Sequence, residues 1–224
     1  MEIGSLVFDG MDQLDFTGPF EVLVRLPGST YRSYSPTGAA VRDARGLTIV
    51  PDAAIADAPA LDVLHVPGGG GVDALMENPE VLAWLRKQSG GFVLSVCTGA
   101  LLLGAAGLLR GRRATTHWAS VHLLPEFGAE FVDERVVVDG DWFFAAGVTS
   151  GIDGALLLVA RLHGDAVAQR IQLYMQYAPE PPFNAGTPAT APAAVLAAAR
   201  ADMAEVTRRR LETVRRIVSA HAHS

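Results

Sequence analysis

The residue best suited to chemistry is Cys97, the only cysteine in the chain. It stands between two apolar segments, residues 92–96 and 99–109, and is followed by Thr98 and Gly99. A lone cysteine is commonly a buried core thiol, but this position matches that of the nucleophile in a strand–nucleophile–helix elbow. At a helix N-terminus, unpaired amides and the helix dipole favour the thiolate, which is a strong nucleophile. The position therefore predicts a nucleophilic cysteine.

A glycine-rich turn can supply the hydrogen-bond donors that such a reaction needs. Residues 68–71 are four glycines that follow a short apolar run and Pro67. Backbone N–H groups of this turn, among them those of Gly69 and Gly70, can form an oxyanion hole together with the amide of Thr98. A phosphate cradle is the alternative, but neither a G-K-[ST] motif nor a G-x-G-x-x-G helix start accompanies the glycines.

A nucleophile also needs a proton partner, and Asp15 is the first candidate. It precedes Thr17-Gly18-Pro19, so its loop could turn it back over the sheet edge, whereas Asp12 is better explained as a turn-forming or helix-capping residue. His117 is the second candidate, and we expect it to be an outer contact of the site, as we do for its neighbour Thr116 and for Thr149. His65 lies in an apolar segment and is predicted to be a core residue. No metal site is predicted, because no cluster of His, Cys and carboxylate residues has metal-ligand spacing.

Alternating strands and helices surround these residues. Predicted strands cover residues 3–8, 30–35, 47–50, 62–66 and 91–96, and a hairpin is predicted around Asp139-Gly140. Helices are predicted after Gly18-Pro19, over residues 78–88 with Asn78 as N-cap and Pro79 first, and over residues 98–109, 149–164 and 165–177. This order predicts an α/β domain with a mainly parallel sheet and helices on both faces. Ligands of such sheets bind at the carboxyl ends of the strands, where both candidate turns belong.

The C-terminal part of the chain is predicted to be a Pro-rich connector over residues 178–192 and a helix over residues 193–220, within one domain that spans 1–224. Glu205 and Arg209, and Glu212 and Arg216, stand four residues apart and are predicted to pair. The run at residues 208–210 is three arginines, which we interpret as a solvated helix face rather than an anion site. His221 and His223 are expected in a frayed tail.

Composition excludes several classes of function. The net charge of −6 and a pI of about 5.5 argue against binding to nucleic acid or to a membrane surface. A single cysteine forms no internal disulfide, which favours a reducing, cytoplasmic compartment. The N-terminus lacks the pattern of a signal peptide, and the longest apolar run is too short to span a bilayer.

Six stretches, in order and over nearly the whole chain, resemble the ThiJ/PfpI superfamily and, within it, the isocyanide hydratases (isonitrile hydratases). They are QLDFTGPFEVL, VPGGGGVDALMENP, SVCTGALLLGAAGLLRGRRATTHWA, ERVVVDG, TSGID and QYAPEPPFNAGTP. The last is the most discriminating because it is a long, unusual loop. CTGA and TTHW also occur in effector domains of AraC-type regulators.

The resemblance implies a flavodoxin-like sandwich of the class I glutamine amidotransferase type, a homodimer, and no cofactor. It implies that Cys97 is the nucleophile, that Asp15 is the acid and base, and that Gly69 and Thr98 supply backbone donors. It also implies hydration of a small, apolar isocyanide to an N-substituted formamide through a thioimidate. One departure is Ala145-Ala146, where more glycine is expected; these residues are predicted to crowd or rigidify the turn that leads into the helix beside Cys97.

Two alternatives stay open. The first is a glyoxalase- or deglycase-like activity of the same superfamily, although many such relatives carry a glutamate after the first strand, a task that falls here to Asp15. The second is a non-enzymatic, redox-sensing or regulatory domain with Cys97 as the switch. An AraC-type regulator needs a further DNA-binding module, and about 40 residues after Asn184 are too few for one.

Overall fold

A computed structural model describes residues 1–221, which form a seven-stranded central sheet flanked by helices. In chain order the strands are β1 (Glu2–Leu6), β2 (Thr30–Ser35), β3 (Val41–Arg42), β4 (Thr48–Ile49), β5 (Ala53–Ala54), β6 (Val63–Val66), β7 (Phe92–Val96), β8 (Arg113–Ala114), β9 (Glu130–Phe131), β10 (Val136–Asp139) and β11 (Trp142–Ala145). The central sheet has the order β10-β11-β7-β6-β1-β2-β5, and only the β10–β11 pairing is antiparallel. This is the flavodoxin-like, mostly parallel α/β class that the sequence predicts.

The helices are α1 (Gln13–Leu23), α2 (Val72–Leu75), α3 (Pro79–Gln88), α4 (Gly99–Ala105), α5 (Ser150–His163), α6 (Asp165–Tyr174) and α7 (Ala193–His221). Short 3-10 helices cover Ile55–Asp57, Trp118–Leu123 and Pro125–Phe127. None of the helices within residues 1–221 has the length and apolar character needed to cross a membrane.

Each face of the sheet has its own apolar core, because neighbouring strand residues point to opposite faces. Val93 and Phe144 belong to one core, whereas the adjacent Leu94 and Phe143 belong to the other. The first core is covered by α2, α3, α4 and part of α7, and the second by α1, α5 and α6. Strands buried on both faces explain the continuous apolar runs in the sequence.

Most predicted elements are confirmed, and Asn78 caps α3 by accepting the N–H groups of Glu80 (3.0 Å) and Val81 (3.2 Å). Three boundaries that bear on the site or the sheet differ from the prediction. The predicted strand at residues 47–50 is reduced to β4, which pairs with β3 outside the central sheet. Helix α4 ends at Ala105 rather than at residue 109. Helix α1 begins at Gln13 rather than at Gly18-Pro19, so the sequence prediction of its start was wrong.

The start of α1 is set by Asp12, whose side chain accepts the N–H of Leu14 (3.3 Å). The capping interpretation of Asp12 is therefore confirmed. Pro19 lies inside the helix. As a consequence Asp15 stands in the first turn of α1 and not in a loop, which corrects the predicted location of this candidate residue.

The long C-terminal helix α7 follows the connector as predicted, but its charges are placed differently. Val214 and Ile217 are buried in the core of their own chain, so this part of α7 packs against the domain. Arg216 pairs with Glu77 (2.9 Å) and not with Glu212. The Arg209–Glu205 pair is present at 4.0 Å. His221 is the last residue of the helix, and His223 lies outside the described residues.

Arg210 contradicts the interpretation of the arginine run as a solvated face. Its side chain is only 5% exposed and pairs with Asp73 (2.6 Å). Its guanidinium also donates to the Ser120 hydroxyl (3.3 Å) and to the carbonyl oxygen of Gly69 (3.4 Å). Arg210 therefore connects α7 to the glycine-rich turn.

Candidate active site

Cys97 occupies a tight turn between β7 and α4, at the carboxyl edge of the sheet. Its φ angle is +55°, one of two positive values at non-glycine residues among those described. Its N–H donates to the Ala145 carbonyl (2.9 Å), and its own carbonyl accepts the Thr116 hydroxyl (2.7 Å). The residue is 7% exposed. The backbone is thus held from two sides in a conformation that L-residues rarely adopt.

Gly99 allows this turn to lie against the neighbouring strand. A Cβ atom at position 99 would overlap the carbonyl oxygen of Val66, the last residue of β6. A Cβ at Gly68 would likewise stand 2.5 Å from the Thr98 nitrogen. The two strand-to-helix turns are therefore in backbone contact, as their common place at the sheet edge predicts.

Asp15 lies against Cys97 even though its location in the chain differs from the prediction. Its side chain is fully buried, and Oδ2 accepts the N–H of Gly68 (3.0 Å). The carboxyl group also interacts with the neighbouring Cys97 side chain, and its Oδ1 atom is buried without a hydrogen-bond partner among the described residues. A buried carboxyl group is thus in contact with both the sulfur and the glycine-rich turn.

Burial raises the pKa of Asp15 from 3.8 to about 7, and the charge of Asp12 adds to this effect. The hydrogen bond from Gly68 and the interaction with the Cys97 side chain act in the opposite direction. Burial also raises the pKa of Cys97 well above its ordinary value, as does the neighbouring charge of Asp15. Only the backbone N–H of Thr98 lowers the pKa of Cys97.

These shifts act against the thiolate that the helix N-terminus alone would favour. Helix α4 has only seven residues, and its N-terminal amides do not outweigh burial and a neighbouring carboxylate. A pair of buried acids in contact retains a proton rather than carrying two like charges. The arrangement can therefore deprotonate the sulfur as it attacks, with Asp15 as the acceptor of the proton.

Some N–H groups of the glycine-rich turn are already hydrogen-bonded within the protein. The N–H of Gly69 donates to the Thr98 hydroxyl (2.9 Å), which also lies 3.2 Å from the Gly69 carbonyl oxygen. Gly70 is exposed. The backbone N–H of Thr98 interacts with the sulfur of Cys97. Thr98 thus joins the two turns through its side chain and directs its amide at the sulfur.

The expected outer contacts fall in different places. Thr116 binds the Cys97 carbonyl, as described above. His117 caps the Trp118–Leu123 helix, where its Nδ1 accepts the Ala119 N–H (3.4 Å). Burial lowers the pKa of His117, and the charge of Arg210 lowers it further. Thr149 is exposed and accepts a hydrogen bond from Arg135 (3.3 Å).

Two residues that sequence reasoning did not assign to the site also reach it. Arg210 binds the Gly69 carbonyl from α7, and no local signal separates it from its solvated neighbours in the arginine run. His65 is buried, as predicted, but its Nε2 lies 3.1 Å from the backbone carbonyl oxygen of Asp15. Within residues 1–221 no three His, Cys, Asp or Glu side chains are grouped so as to hold a metal ion.

The fold and these contacts define the class of α/β proteins that carry a cysteine at a strand-to-helix elbow. The family model described as DJ-1/PfpI family matches residues 1–161. The chain belongs to this family, which confirms the resemblance seen in the sequence.

Three relatives bear on function. The isonitrile hydratase of Pseudomonas putida is 47% identical over 218 residues, which cover 96% of each chain. The solved structure of a ThiJ/PfpI family protein from Pseudomonas syringae has a TM-score of 0.92 and 39% identity, over 95% of this chain and 90% of that one. The glutathione-independent glyoxalase DJR-1.2 of Caenorhabditis elegans is 32% identical over 128 residues, which are 55% of this chain and 68% of that protein.

Proposed function

We propose that the protein hydrates organic isocyanides to N-substituted formamides, with Cys97 as nucleophile and Asp15 as acid and base. The observation that carries the proposal is the buried Asp15 carboxyl group beside the Cys97 thiol, with its Oδ1 atom free of any hydrogen-bond partner among the described residues. The similarity to an isonitrile hydratase over 96% of both chains supports the same assignment.

The geometry suits the particular chemistry of an isocyanide. Its terminal carbon must receive a nucleophile and a proton at the same atom. The proton that leaves Cys97 can pass to Asp15 and from there to that carbon. Because acid and sulfur are adjacent, both groups can approach the carbon from one side. The terminal carbon also carries no substituent, so it can reach a sulfur whose residue is only 7% exposed.

In the first step the sulfur forms a bond to the terminal carbon of R–N≡C, and Asp15 transfers the former thiol proton to that carbon. The product is the thioimidate R–N=CH–S–Cys97. The backbone N–H of Thr98 lies beside the sulfur, where it stabilises negative charge as the thiol proton leaves.

In the second step water adds to the thioimidate carbon, and Asp15 accepts a proton from this water while the nitrogen gains one. The resulting adduct, R–NH–CH(OH)–S–Cys97, then loses its hydroxyl proton as the C–S bond breaks. The products are R–NH–CHO and the Cys97 thiol, so the net reaction consumes one isocyanide and one water. Asp15, with a pKa raised by burial to about 7, exchanges protons readily near neutral pH.

The test is an assay with an aromatic isocyanide, in which formamide is followed by absorbance, with methylglyoxal tested in parallel. We expect formamide to form and to be lost in Cys97→Ala. Turnover of methylglyoxal alone would favour the glyoxalase alternative, which the similarity to DJR-1.2 represents. Formamide production that persists in Cys97→Ala would remove the proposed mechanism.

We also propose that the chain acts as a single domain in a cytoplasmic homodimer. Its single cysteine suits a reducing compartment. Leu173, Tyr174 and Phe183 are 73–80% exposed near the end of α6 and in the connector, and large exposed apolar side chains favour a protein interface. Sedimentation of the wild-type protein should give a dimer, and Leu173→Lys should weaken it. A wild-type monomer at all concentrations would contradict the proposal.

A further inference from the structure

Helix α1 contains a proline at the position that matters most for Asp15. An α-helical carbonyl normally accepts the N–H of the residue four positions later. For Asp15 that residue is Pro19, which has no N–H and whose ring crowds the carbonyl. The backbone carbonyl of this buried residue therefore lacks its helical donor.

His65 occupies the place of that missing donor. Its Nε2 lies 3.1 Å from the Asp15 carbonyl oxygen, and the imidazole is fully buried in β6. A carbonyl oxygen only accepts hydrogen bonds, so Nε2 must carry the proton. Burial lowers the pKa of His65 to about 3, so the ring is neutral and its Nδ1 is an acceptor.

The other side of the imidazole fixes this tautomer. Nδ1 lies 2.5 Å from the Ser5 hydroxyl, which in turn is hydrogen-bonded to the Tyr31 hydroxyl. Ser5 can donate to His65 while it accepts from Tyr31. The chain of hydroxyls thus holds the Nε2 proton toward Asp15, much as outer hydrogen bonds fix the tautomer of other functional histidines.

One short segment therefore binds Asp15 at two points. His65 donates to its backbone carbonyl, and Gly68, two residues after the end of β6, donates to its carboxylate (3.0 Å). An aspartate bound at its backbone carbonyl and at its carboxylate has little freedom to move away from the sulfur of Cys97.

We propose that His65 is a positioning residue, which replaces the helical donor removed by Pro19 and thereby keeps the Asp15 carboxyl group against Cys97. For turnover this rests on the proposed function, but the placement of Asp15 can be tested without any isocyanide. The readout is the pH dependence of alkylation of Cys97 by iodoacetamide, which is unambiguous because the chain has one cysteine.

Two variants at position 65 carry the same amide group on side chains of different length. They distinguish the effect of losing the hydrogen bond from the effect of placing an amide in a buried site. In His65→Gln the side-chain amide can stand where Nε2 stands and donate to the Asp15 carbonyl, whereas the amide of His65→Asn is too short. We expect the Asn variant to lose on the order of 10- to 100-fold in turnover, as for a misplaced catalytic group. We expect its alkylation midpoint to fall, because the Asp15 charge that raises the pKa of Cys97 has moved away. The Gln variant should resemble the wild type in both.

Pro19→Ala supplies the decisive control because it restores an N–H four residues after Asp15. In that background we expect His65→Asn to cost less, both in turnover and in the alkylation midpoint. Should His65→Asn fold only together with Pro19→Ala, that rescue supports the proposal. Should neither Asn protein fold, a wild-type alkylation profile in His65→Gln supports it and a shifted profile overturns it.

Equal losses in the Asn and Gln variants, or an Asn loss that is unchanged by Pro19→Ala, would overturn the proposal. Absence of isocyanide turnover in the wild type would instead overturn the proposed function, since the alkylation profiles would still report where Asp15 lies.

Discussion

Two strand-to-helix turns meet at the same edge of the sheet, and each contains a residue with a positive φ angle. The type of residue at that position differs between the two turns. The turn after β6 is built from glycines, and Gly69 takes a φ angle of +133° that other residues avoid. The turn after β7 has a similar need for a left-handed residue, yet Cys97 occupies that position with φ +55°. Glycine serves where only backbone is required, whereas strain is retained where a side chain is required.

The two turns also differ in what holds them. The glycine-rich turn is bound by remote side chains, since Asp15 accepts the Gly68 N–H and Arg210 donates to the Gly69 carbonyl. The cysteine turn is bound mainly through its backbone, by Thr116 and by the carbonyl of Ala145. Asp15 belongs to both, because its carboxyl group contacts Gly68 and the Cys97 thiol.

Removing the carboxylic acid of Asp15, which lies between the two turns, should have the largest effect on activity. In Asp15→Asn the amide oxygen can still accept the Gly68 N–H, but the group cannot take or return a proton. We expect kcat/KM for an aromatic isocyanide to fall on the order of 10²- to 10⁴-fold. Asp12→Asn is the matched control, since asparagine also caps helices, and should lose much less. Equal rates in wild type and Asp15→Asn would remove Asp15 from the mechanism.

The same variant should change how stability depends on pH. Between pH 3.8 and about 7 the folded protein retains a proton on Asp15 that the unfolded chain releases. The free energy of unfolding contributed by this group therefore falls as pH rises through that range, on the order of 4 kcal/mol in all.

Asp15→Asn has no titrating group at this position. Urea unfolding across the range should thus show the wild type losing stability relative to the variant as pH rises. A constant difference between the two proteins would show that the carboxyl group titrates at its ordinary pKa in the folded state.

A smaller effect is expected when the remote support of the glycine-rich turn is removed. Arg210→Met keeps much of the apolar volume but leaves Asp73 and the Gly69 carbonyl without the guanidinium. We expect a loss of about 1–3 kcal/mol in the free energy of unfolding, the typical result of leaving a buried polar group unpaired.

Arg215→Met on the same helix is the matched control for this prediction. Arg215 is 65% exposed and stands 3.9 Å from Glu126, and exposed pairs of this kind contribute little to stability. If Arg210→Met and Arg215→Met unfold at the same urea concentration, the guanidinium of Arg210 is not a structural link between α7 and the turn.

The contrast between the turns also shows what the sequence could predict. The positions of β6, β7 and both turns could be predicted from apolar runs that end at glycines. Strand burial and turn chemistry are local properties of the sequence. The start of α1 was missed since Pro19 normally opens a helix. It lies inside this one because His65 supplies the missing donor, and this residue is 50 positions from Asp15.

Contacts across long sequence separations account for the other errors. Arg210 was interpreted as solvated because its partner Asp73 is 137 residues away. The thiolate was expected from the local helix N-terminus, but burial and the Asp15 charge, both consequences of tertiary packing, raise the pKa of Cys97. Residue types at the site could be selected from the sequence, whereas their protonation could not.

The smallest effect tests the strain itself. Cys97→Gly and Cys97→Ala both remove the thiol, but glycine accepts φ +55° without a steric penalty. We therefore expect the Gly variant to exceed the Ala variant by about 1 kcal/mol in the free energy of unfolding. Gln176 is the other described non-glycine residue with a positive φ angle (+50°), and it is exposed after α6. Replacing it by Gly and by Ala is therefore a control for the effect of the φ angle away from the candidate site. A Gly advantage at position 176 with none at position 97 would mean that the cysteine turn stores no strain. The contrast between the two turns would then be one of composition alone.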